Sequence, residues 1–248
     1  MQDPTLLAAA AATFFLAGTV KGVIGLGLPT ITLGLMTLLL DLPSAMALLI
    51  VPSLATNLWQ AAVGGHMREI LRKTWPFLLT ATATIWIGAQ ALRLVDLSYL
   101  SALLGLLLIA YAATGLAGFR LSMSPGAALR SGPLFGIANG ILTGMTGSFM
   151  VPGVLYLQAT GMPRDMLVQA MGMLFMLSTA ALALALGHSA HIDPELGLAS
   201  ALGLIPAILG MILGRKIRGY LSETRFRQVF FAGVLLLGLS ITAHAALS

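Results

Sequence analysis

The chain alternates between long apolar segments and short polar loops. Six segments hold about 20 mainly apolar residues each, which is the length that a membrane-spanning helix needs. We predict spanning helices at residues 44–62, 75–92, 98–117, 166–187, 196–213 and 228–246.

Two further apolar regions are interrupted by glycine and proline. Residues 5–40 contain Gly22, Gly25, Gly27 and Pro29. In a helix interior glycine costs about 1 kcal/mol and proline about 3 kcal/mol relative to alanine, so we expect an opened or turned backbone there. At membrane depth, such backbone is tolerated only where protein buries it or where it lines a cavity.

The second interrupted region repeats features of the first. Gly136 and Gly140 have the spacing of Gly18 and Gly22, and residues 131–160 split at Thr143–Pro152 into pieces of about 12 and 10 residues. At 1.5 Å per residue, helices of that size cover about half a bilayer. Broken segments at matching positions of two halves predict a binding site between them.

Composition places the whole chain in the lipid bilayer. Apolar residues make up 58% of it and charged residues 8%, whereas soluble domains contain about 25% charged residues. We therefore predict an all-α, multi-pass membrane protein in a lipid bilayer. The net charge of +5 lies in short loops, so it indicates orientation in the membrane and does not favour a nucleic-acid partner.

The distribution of loop charge predicts the topology. Loops 63–74, 118–130 and 214–227 are rich in lysine and arginine and are expected in the cytoplasm, whereas loop 188–195 has neither and is expected outside. These locations agree if residues 131–160 form a re-entrant hairpin that enters and leaves on the cytoplasmic face.

Applying the same interpretation to residues 5–40 predicts two inverted repeats, each a glycine-broken re-entrant hairpin plus three transmembrane helices. The repeats would occupy residues 1–125 and 126–248, on either side of a turn-rich connection. A competing interpretation has eight simple crossings with broken first and fifth helices.

Lys21 is the ionisable side chain that lies well inside an apolar segment. A charge in the membrane costs at least ~2.5–3.5 kcal/mol on insertion scales, which favours a functional role facing an anion. Helix-start N–H groups near it would add positive potential. Asn139 occupies the matching position of the second copy. The alternative is that the Lys21 side chain snorkels to the interface.

Other polar residues cluster beside the glycines. Asn57 and Gln60 are three residues apart on one helix face, where their amides either bind substrate or brace the hairpin. Small residues also permit close helix approach, which is the alternative role for the hydroxyls of the second cluster. The predicted substrate-binding residues are Lys21, Gly22, Gly25, Gly27, Asn57, Gln60, Asn139, Thr143, Gly144, Thr146, Gly147 and Ser148.

No metal or other cofactor is expected. His188, His191, Asp193 and Glu195 have suitable ligand atoms but lie in one short exposed loop without cysteine. The sequence has no nucleophile elbow, phosphate-binding loop or dinucleotide fingerprint, so enzymatic activity is not predicted.

The glycine pattern resembles a known family. Gly18-xxx-Gly22-xx-Gly25-x-Gly27-x-Pro29, Pro52-xxxx-Asn57-x-Trp59-Gln60 and Gly136-xxx-Gly140-xxx-Gly144-xx-Gly147-xxxx-Pro152 are similar to the TauE/SafE sulfite exporter family of bacterial permeases. The resemblance covers nearly the whole chain. It implies transport, generally outward, of anions such as sulfite, sulfoacetate, thiosulfate or other small sulfonates and carboxylates.

These features together predict a secondary transporter of a small organosulfur or related anion in the bacterial inner membrane, with its site at the midplane between the broken hairpins. Alternating access would come from rocking of one repeat against the other. A structural or assembly subunit of a membrane complex is the alternative. The sequence does not specify an oligomeric state, and a homodimer is one option.

Overall fold

The computed structural model describes residues 4–119, 121–188 and 194–247, and these residues form helices and no strand. The α-helices are α1 (Pro4–Ile24), α2 (Leu28–Met36), α3 (Leu42–Ala62), α4 (Met67–Ala83), α5 (Ile85–Ala89), α6 (Ala91–Leu94), α7 (Leu97–Leu116), α8 (Pro125–Thr146), α9 (Leu155–Ala159), α10 (Arg164–His188), α11 (Pro194–Ile217) and α12 (Glu223–Leu247). The segment Met150–Val154 before α9 is kinked, with Val151 in an extended conformation at φ −119° and ψ 127°, and a 3₁₀ turn, Arg218–Tyr220, follows α11.

Seven helical segments of the described chain are long and apolar enough to cross a membrane. Six of them confirm the six predicted spans, with α4, α5 and α6 together forming one segment, Met67–Leu94. The seventh is α1.

The first arm of each broken region is a full-length helix. α1 has 21 residues and α8 has 22, so the predicted division of residues 131–160 into two short pieces was wrong for the first piece. Only the second arms are short, with 9 residues in α2 and a 10-residue apolar segment at Met150–Ala159. The glycines inside α1 and α8 do not open the helix because they are used for packing against other helices.

The backbone opens later than the sequence predicts. Gly25 and Gly27 adopt positive φ values of 81° and 108°, and Gly147 adopts 71°. These left-handed conformations favour glycine, which has no Cβ atom. In contrast, Gly22 lies within α1 and Thr143–Thr146 lies within α8, so the predicted opening at these positions was wrong.

Glycine faces allow α1 to pack in parallel against α11. A Cβ atom on Gly18 would lie 2.1 Å from the Ala207 carbonyl oxygen, and one on Gly22 would lie 2.4 Å from the Met211 carbonyl oxygen. Both pairs advance in the same direction along the two helices, so α1 and α11 run parallel. Glycine permits the two backbones to approach this closely because it has no side chain. Small residues have the same role between helices of other membrane proteins.

The same arrangement occurs between α8 and the α4–α5 segment. A Cβ atom on Gly136 would lie 2.5 Å from the Phe77 carbonyl oxygen, and one on Gly144 would lie 2.2 Å from the Ile85 carbonyl oxygen. From Gly136 to Gly144 along α8, the contacted residues advance from Phe77 to Ile85 along α4 and α5. α8 therefore runs parallel to α4 and α5.

The remaining long helices pair in opposite directions. Gly105 of α7 faces Thr242 of α12, whereas Gly115 faces Phe231, so α7 and α12 are antiparallel. The end of α3 meets the start of α10, where Gly172 contacts Ala61. These directions bring connections 63–66, 160–163 and 218–222, with residues 117–119 and 121–124, to one end of the bundle, called here the basic end because most lysines and arginines lie near it.

Candidate functional site

A cavity of about 220 Å³ lies between the end of α1, the second half of α3, the start of α10 and the end of α11. It contains four basic side chains and one acidic one. The lining residues are Lys21, Gly22, Ile24, Gly25, Thr56, Trp59, Gln60, Arg164, Asp165, Val168, Met211, Arg215 and Arg218.

Lys21 is the buried cation of this cavity, with 3% of its surface exposed. Its ammonium donates one hydrogen bond to Thr56 Oγ1 at 3.1 Å and another to Asn57 Oδ1. Among the residues that the structure describes, no carboxylate pairs with it. An ammonium has three N–H donors, so one donor and the uncompensated charge are available to a bound anion.

The two acceptors are themselves held in place within α3. The Thr56 hydroxyl donates to the Pro52 carbonyl at 2.7 Å, which leaves its oxygen free to accept from Lys21. The Asn57 amide donates from Nδ2 to Ser53 Oγ at 3.4 Å. Because Asn57 Nδ2 is the donor in that bond, Oδ1 is the atom that faces the lysine. The neutral partners orient the Lys21 ammonium without cancelling its charge.

Arginines stand around the mouth of the cavity at the basic end. Arg215 and Arg218 come from the end of α11 and the following turn, and Arg164 comes from the first turn of α10 beside Asp165. All four side chains are exposed. The start of α10 also presents the positive end of a helix dipole. Among the described lining residues none belongs to α2, so the helix start nearest the cavity is that of α10 rather than the predicted one.

Gln60 borders the cavity, but its amide braces two helices. Gln60 Nε2 donates to the Val168 carbonyl at 2.7 Å, and Gln169 Nε2 donates to the Ala61 carbonyl at 2.8 Å. Gln169 Oε1 accepts from the His66 N–H at 2.9 Å. These bonds join the end of α3 to the start of α10. The Gln60 amide thus braces α3 against α10, whereas the bracing role considered from the sequence was toward the hairpin.

The predicted residues of the second glycine cluster form the turn after α8, outside this cavity. Thr143 Oγ1 donates to the Ser148 carbonyl at 3.0 Å. Thr146 Oγ1 donates to the Leu142 carbonyl at 2.7 Å and accepts from the Ser148 N–H at 3.2 Å. Their hydroxyls therefore close the turn around Gly147.

Asn139 lies away from Lys21, in the interior beside the second hairpin. Its Oδ1 accepts from the Gly153 N–H at 2.9 Å. Gly144 packs against α5 and Gly27 packs beside Val20 and Phe230. Of the predicted residues, the cavity thus brings together Lys21, Gly22, Gly25 and Gln60, with Asn57 bonded directly to Lys21.

Sequence reasoning missed Thr56, Asp165 and the three arginines of the cavity. Thr56 adjoins Asn57, which was a usable signal. Arg215 and Arg218 were treated only as loop charges that orient the protein, and Arg164 was not considered, because their distance in sequence from Lys21 hides their proximity in space.

No group of three possible metal ligands occurs among the described residues. His191 and Asp193 of the polar loop lie outside those residues, as does the predicted loop charge Arg120.

Comparison with known proteins identifies the family. No curated protein and no solved structure matched the chain. A model of the family described as "Sulfite exporter TauE/SafE" matches residues 10–241, which is nearly the whole chain. Together with seven helices long enough to cross a membrane, this match confirms the predicted resemblance and the multi-pass membrane character. The chain belongs to the TauE/SafE sulfite exporter family.

Proposed function

We propose that this protein is a secondary transporter that exports a small organosulfur or related anion, such as sulfite, sulfoacetate or another small sulfonate. The observation that carries the proposal is the buried Lys21 ammonium, bonded to the neutral oxygens of Thr56 and Asn57 at the bottom of an arginine-rimmed cavity. A buried charge without a counter-ion is costly, and a bound anion would offset that cost.

The cavity suits a small ion of low charge. The third N–H of Lys21 and the N–H groups in the first turn of α10 would bind the anion, while Arg164, Arg215 and Arg218 raise its local concentration. Gly25 would let the anion approach the backbone closely, while Gly22 lines the cavity and holds α1 against α11. Thr143, Thr146 and Ser148, with Gly144, Gly147 and Gly27, would act indirectly by holding the shapes of the two broken segments.

We place the anion near the middle of the membrane, displaced toward the basic end. Asn57 lies five residues beyond Pro52, the middle residue of α3, which is about 7.5 Å along the helix. By the positive-inside rule the basic end faces the cytoplasm. The cavity would then be the cytoplasmic entrance for an exported anion in the inner membrane of a bacterium.

We further propose that residues 1–125 and 126–248 are inverted repeats. The pairing of α1 with α11 has its counterpart in the pairing of α8 with α4, and α3–α10 and α7–α12 are antiparallel pairs of corresponding helices. A two-fold axis in the membrane plane relates such pairs. Each broken region also begins at the end of the bundle where the next long helix begins, as a re-entrant hairpin requires.

Alternating access in this arrangement comes from one repeat rocking against the other around the site. In the described part of the chain Lys21 is the charged side chain with a buried position, and no carboxylate is buried. We therefore propose uniport, or coupling through the protonation of the substrate, rather than a proton relay through Asp or Glu. Proton flux in fixed ratio to substrate over a wide pH range would contradict this part of the proposal.

Thermal stabilisation of the purified protein tests the binding proposal. A panel of sulfite, thiosulfate, sulfoacetate, taurine, malonate and sulfate is titrated against the wild type and Lys21→Met. A ligand that binds only the folded state adds about 2.7 kcal/mol at 100 times its Kd, which is visible as a rise in Tm. We expect at least one anion to raise the wild-type Tm and to leave that of Lys21→Met unchanged.

The opposite result would favour a structural or assembly subunit. If no anion of the panel raises the Tm, and Lys21→Met folds and is as stable as the wild type, the glycine segments serve packing alone. A rise that Lys21→Met retains would instead move the binding site away from this cavity.

A further inference from the structure

A second group of buried polar atoms lies beside the second hairpin. Asn139, Ser178 and Thr179 have no exposed surface. In the part of the chain that the structure describes, Asn139 Nδ2, Ser178 Oγ and Thr179 Oγ1 have no hydrogen-bond partner. Unpaired buried polar groups are rare because each loses its bonds to water without replacement, and such a group calls for an explanation.

The orientation of the Asn139 amide determines what it can bind. The Gly153 N–H lies 2.9 Å from Oδ1, and an N–H donor requires an oxygen there. The other end of the amide is therefore the NH₂ group. This group donates hydrogen bonds and repels a cation, so its missing partner is an acceptor.

Ser178 lies on the face of α10 that meets the second hairpin. Phe175 packs against Phe149 with ring centroids 5.6 Å apart, and Leu174 Cδ2 would lie 3.0 Å from a Cβ atom on Gly153. Ser178 follows Leu174 by four residues and Phe175 by three, so it shares their helix face. The same Gly153 contacts Asn139, so both residues adjoin one segment of the hairpin.

Thr179 lies on the side of this region that faces α3, the helix that carries Thr56 and Asn57. It follows Gly172 by seven residues, so it lies on the face of α10 that crosses α3 at Ala61. α3 and α10 are antiparallel, so a step of two turns forward along α10 from the crossing corresponds to a step of two turns back along α3. Thr179 is therefore level with Ser53. Ser53 accepts a hydrogen bond from Asn57, which in turn accepts one from Lys21.

We propose that Asn139, Ser178 and Thr179 form a second, uncharged binding station for the transported anion. This inference rests on the proposed function. Amide and hydroxyl donors can hold a monovalent oxyanion without a counter-charge, so an anion attracted by Lys21 is not trapped there. The anion passes from the charged station beside α3 to the neutral station beside the second hairpin.

Transport and binding assays on a double variant separate the two stations. Ser178→Ala/Thr179→Val removes both hydroxyls with little change of shape. Thr74→Val is the matched control, since Thr74 is buried in α4 and its hydroxyl is bonded to the Ile70 carbonyl. Sulfite transport is measured in proteoliposomes, and sulfite binding at Lys21 is measured as the rise in Tm.

In the double variant we expect sulfite transport to fall by about tenfold or more, since two hydrogen bonds to the anion are lost. Sulfite should still raise its Tm, and Thr74→Val should transport at the wild-type rate. Transport by the double variant within about twofold of the wild type overturns the proposal, because a tenfold change corresponds to one charge-assisted hydrogen bond. Loss of the sulfite-induced rise in Tm also overturns it, since the hydroxyls would then belong to the Lys21 station.

Asn139→Asp provides an independent test. The variant keeps the acceptor for the Gly153 N–H but replaces the unpaired NH₂ group by a carboxylate oxygen, which repels an anion. We expect it to abolish sulfite transport, and wild-type transport by this variant would overturn the proposal. If no anion of the panel raises the Tm of the wild type, the proposed function fails before this inference is reached. If another anion raises the Tm and sulfite does not, that anion replaces sulfite in both assays.

Discussion

The Ser200 hydroxyl of α11 takes the place of the helical hydrogen-bond donor that Pro52 lacks in α3. Ser200 Oγ donates to the Leu48 carbonyl at 2.7 Å, and this carbonyl would accept from residue 52 in an uninterrupted helix. The same oxygen accepts from the Val51 N–H at 3.0 Å. The interruption of the α3 hydrogen bonds at Pro52, one turn before Thr56 and Asn57, is thus supported from a neighbouring helix.

Replacing Ser200 by alanine should destabilise the protein. Ser200→Ala leaves the buried Leu48 carbonyl unpaired and should lower the free energy of unfolding by about 1–3 kcal/mol. Chemical unfolding in detergent measures the change. In a Pro52→Ala background the loss should be smaller, because the variant gains an N–H that can bond Leu48. If Ser200→Ala lowers the unfolding free energy equally in the wild type and in Pro52→Ala, the Ser200 hydroxyl does not replace the donor that Pro52 lacks.

Close packing of α1 on α11 makes Gly18 intolerant of a methyl group. In Gly18→Ala the added Cβ atom would meet the Ala207 carbonyl oxygen at 2.1 Å, so the helices must separate. We expect overpacking to cost about 1–3 kcal/mol of unfolding free energy, measured as above.

Gly233→Ala is the matched control for this substitution. Gly233 also lies within a helix, but an added Cβ atom would meet no atom within 4 Å. Alanine favours helix over glycine by up to ~1 kcal/mol, so this variant should be as stable as the wild type or more stable. Equal changes in unfolding free energy for Gly18→Ala and Gly233→Ala would show that helix propensity, and not packing, determines the effect of replacing Gly18.

Asn57→Asp should abolish anion binding while the protein remains folded. The carboxylate would lie against the Lys21 ammonium and become its counter-ion, so a free anion gains no net attraction. The measurement is the anion-induced rise in Tm. Adding Lys21→Met to this variant leaves the carboxylate buried without a partner and should cost about 3–5 kcal/mol of stability. Retained anion binding by Asn57→Asp would argue against Lys21 as the binding charge.

The arginines at the cavity mouth should affect affinity modestly. Exposed charges contribute about 0.2–1 kcal/mol each, so Arg215→Gln/Arg218→Gln should raise Kd by about twofold to thirtyfold and weaken its dependence on salt. Arg93→Gln, on exposed α6 at the other end of the bundle, should leave Kd unchanged. Anion titrations at two ionic strengths measure both effects, and a similar change in all variants would rule out a local role.

The positions of the helices follow from local sequence, which is why they were predictable. Twenty apolar residues in a row form a helix in lipid because every backbone group must find its partner within the segment. The helix starts also have local causes. Asp41, Asp96 and Ser124 each accept a hydrogen bond from a backbone N–H in the following turn.

The exact places where α1 and α8 open depended on tertiary packing. Propensity alone assigns Gly22 and Gly144 to breaks because glycine weakens an isolated helix. In the folded protein these residues face α11 and α5, and close backbone approach compensates for their low propensity. The break therefore moves to Gly25, Gly27 and Gly147, whose backbones adopt positive φ.

The candidate site was likewise predictable from the sequence only in part. The sequence by itself determined the membrane location, the helix segments and the prominence of Lys21, because hydrophobicity and the cost of a buried charge depend on local composition. Only the tertiary structure decided that Thr56, Arg164, Arg215 and Arg218 share a cavity with Lys21, and that Asn139 lies elsewhere, bonded to the Gly153 N–H. Those contacts join residues far apart in the chain, and their proximity depends on helix directions and crossings that no local pattern specifies.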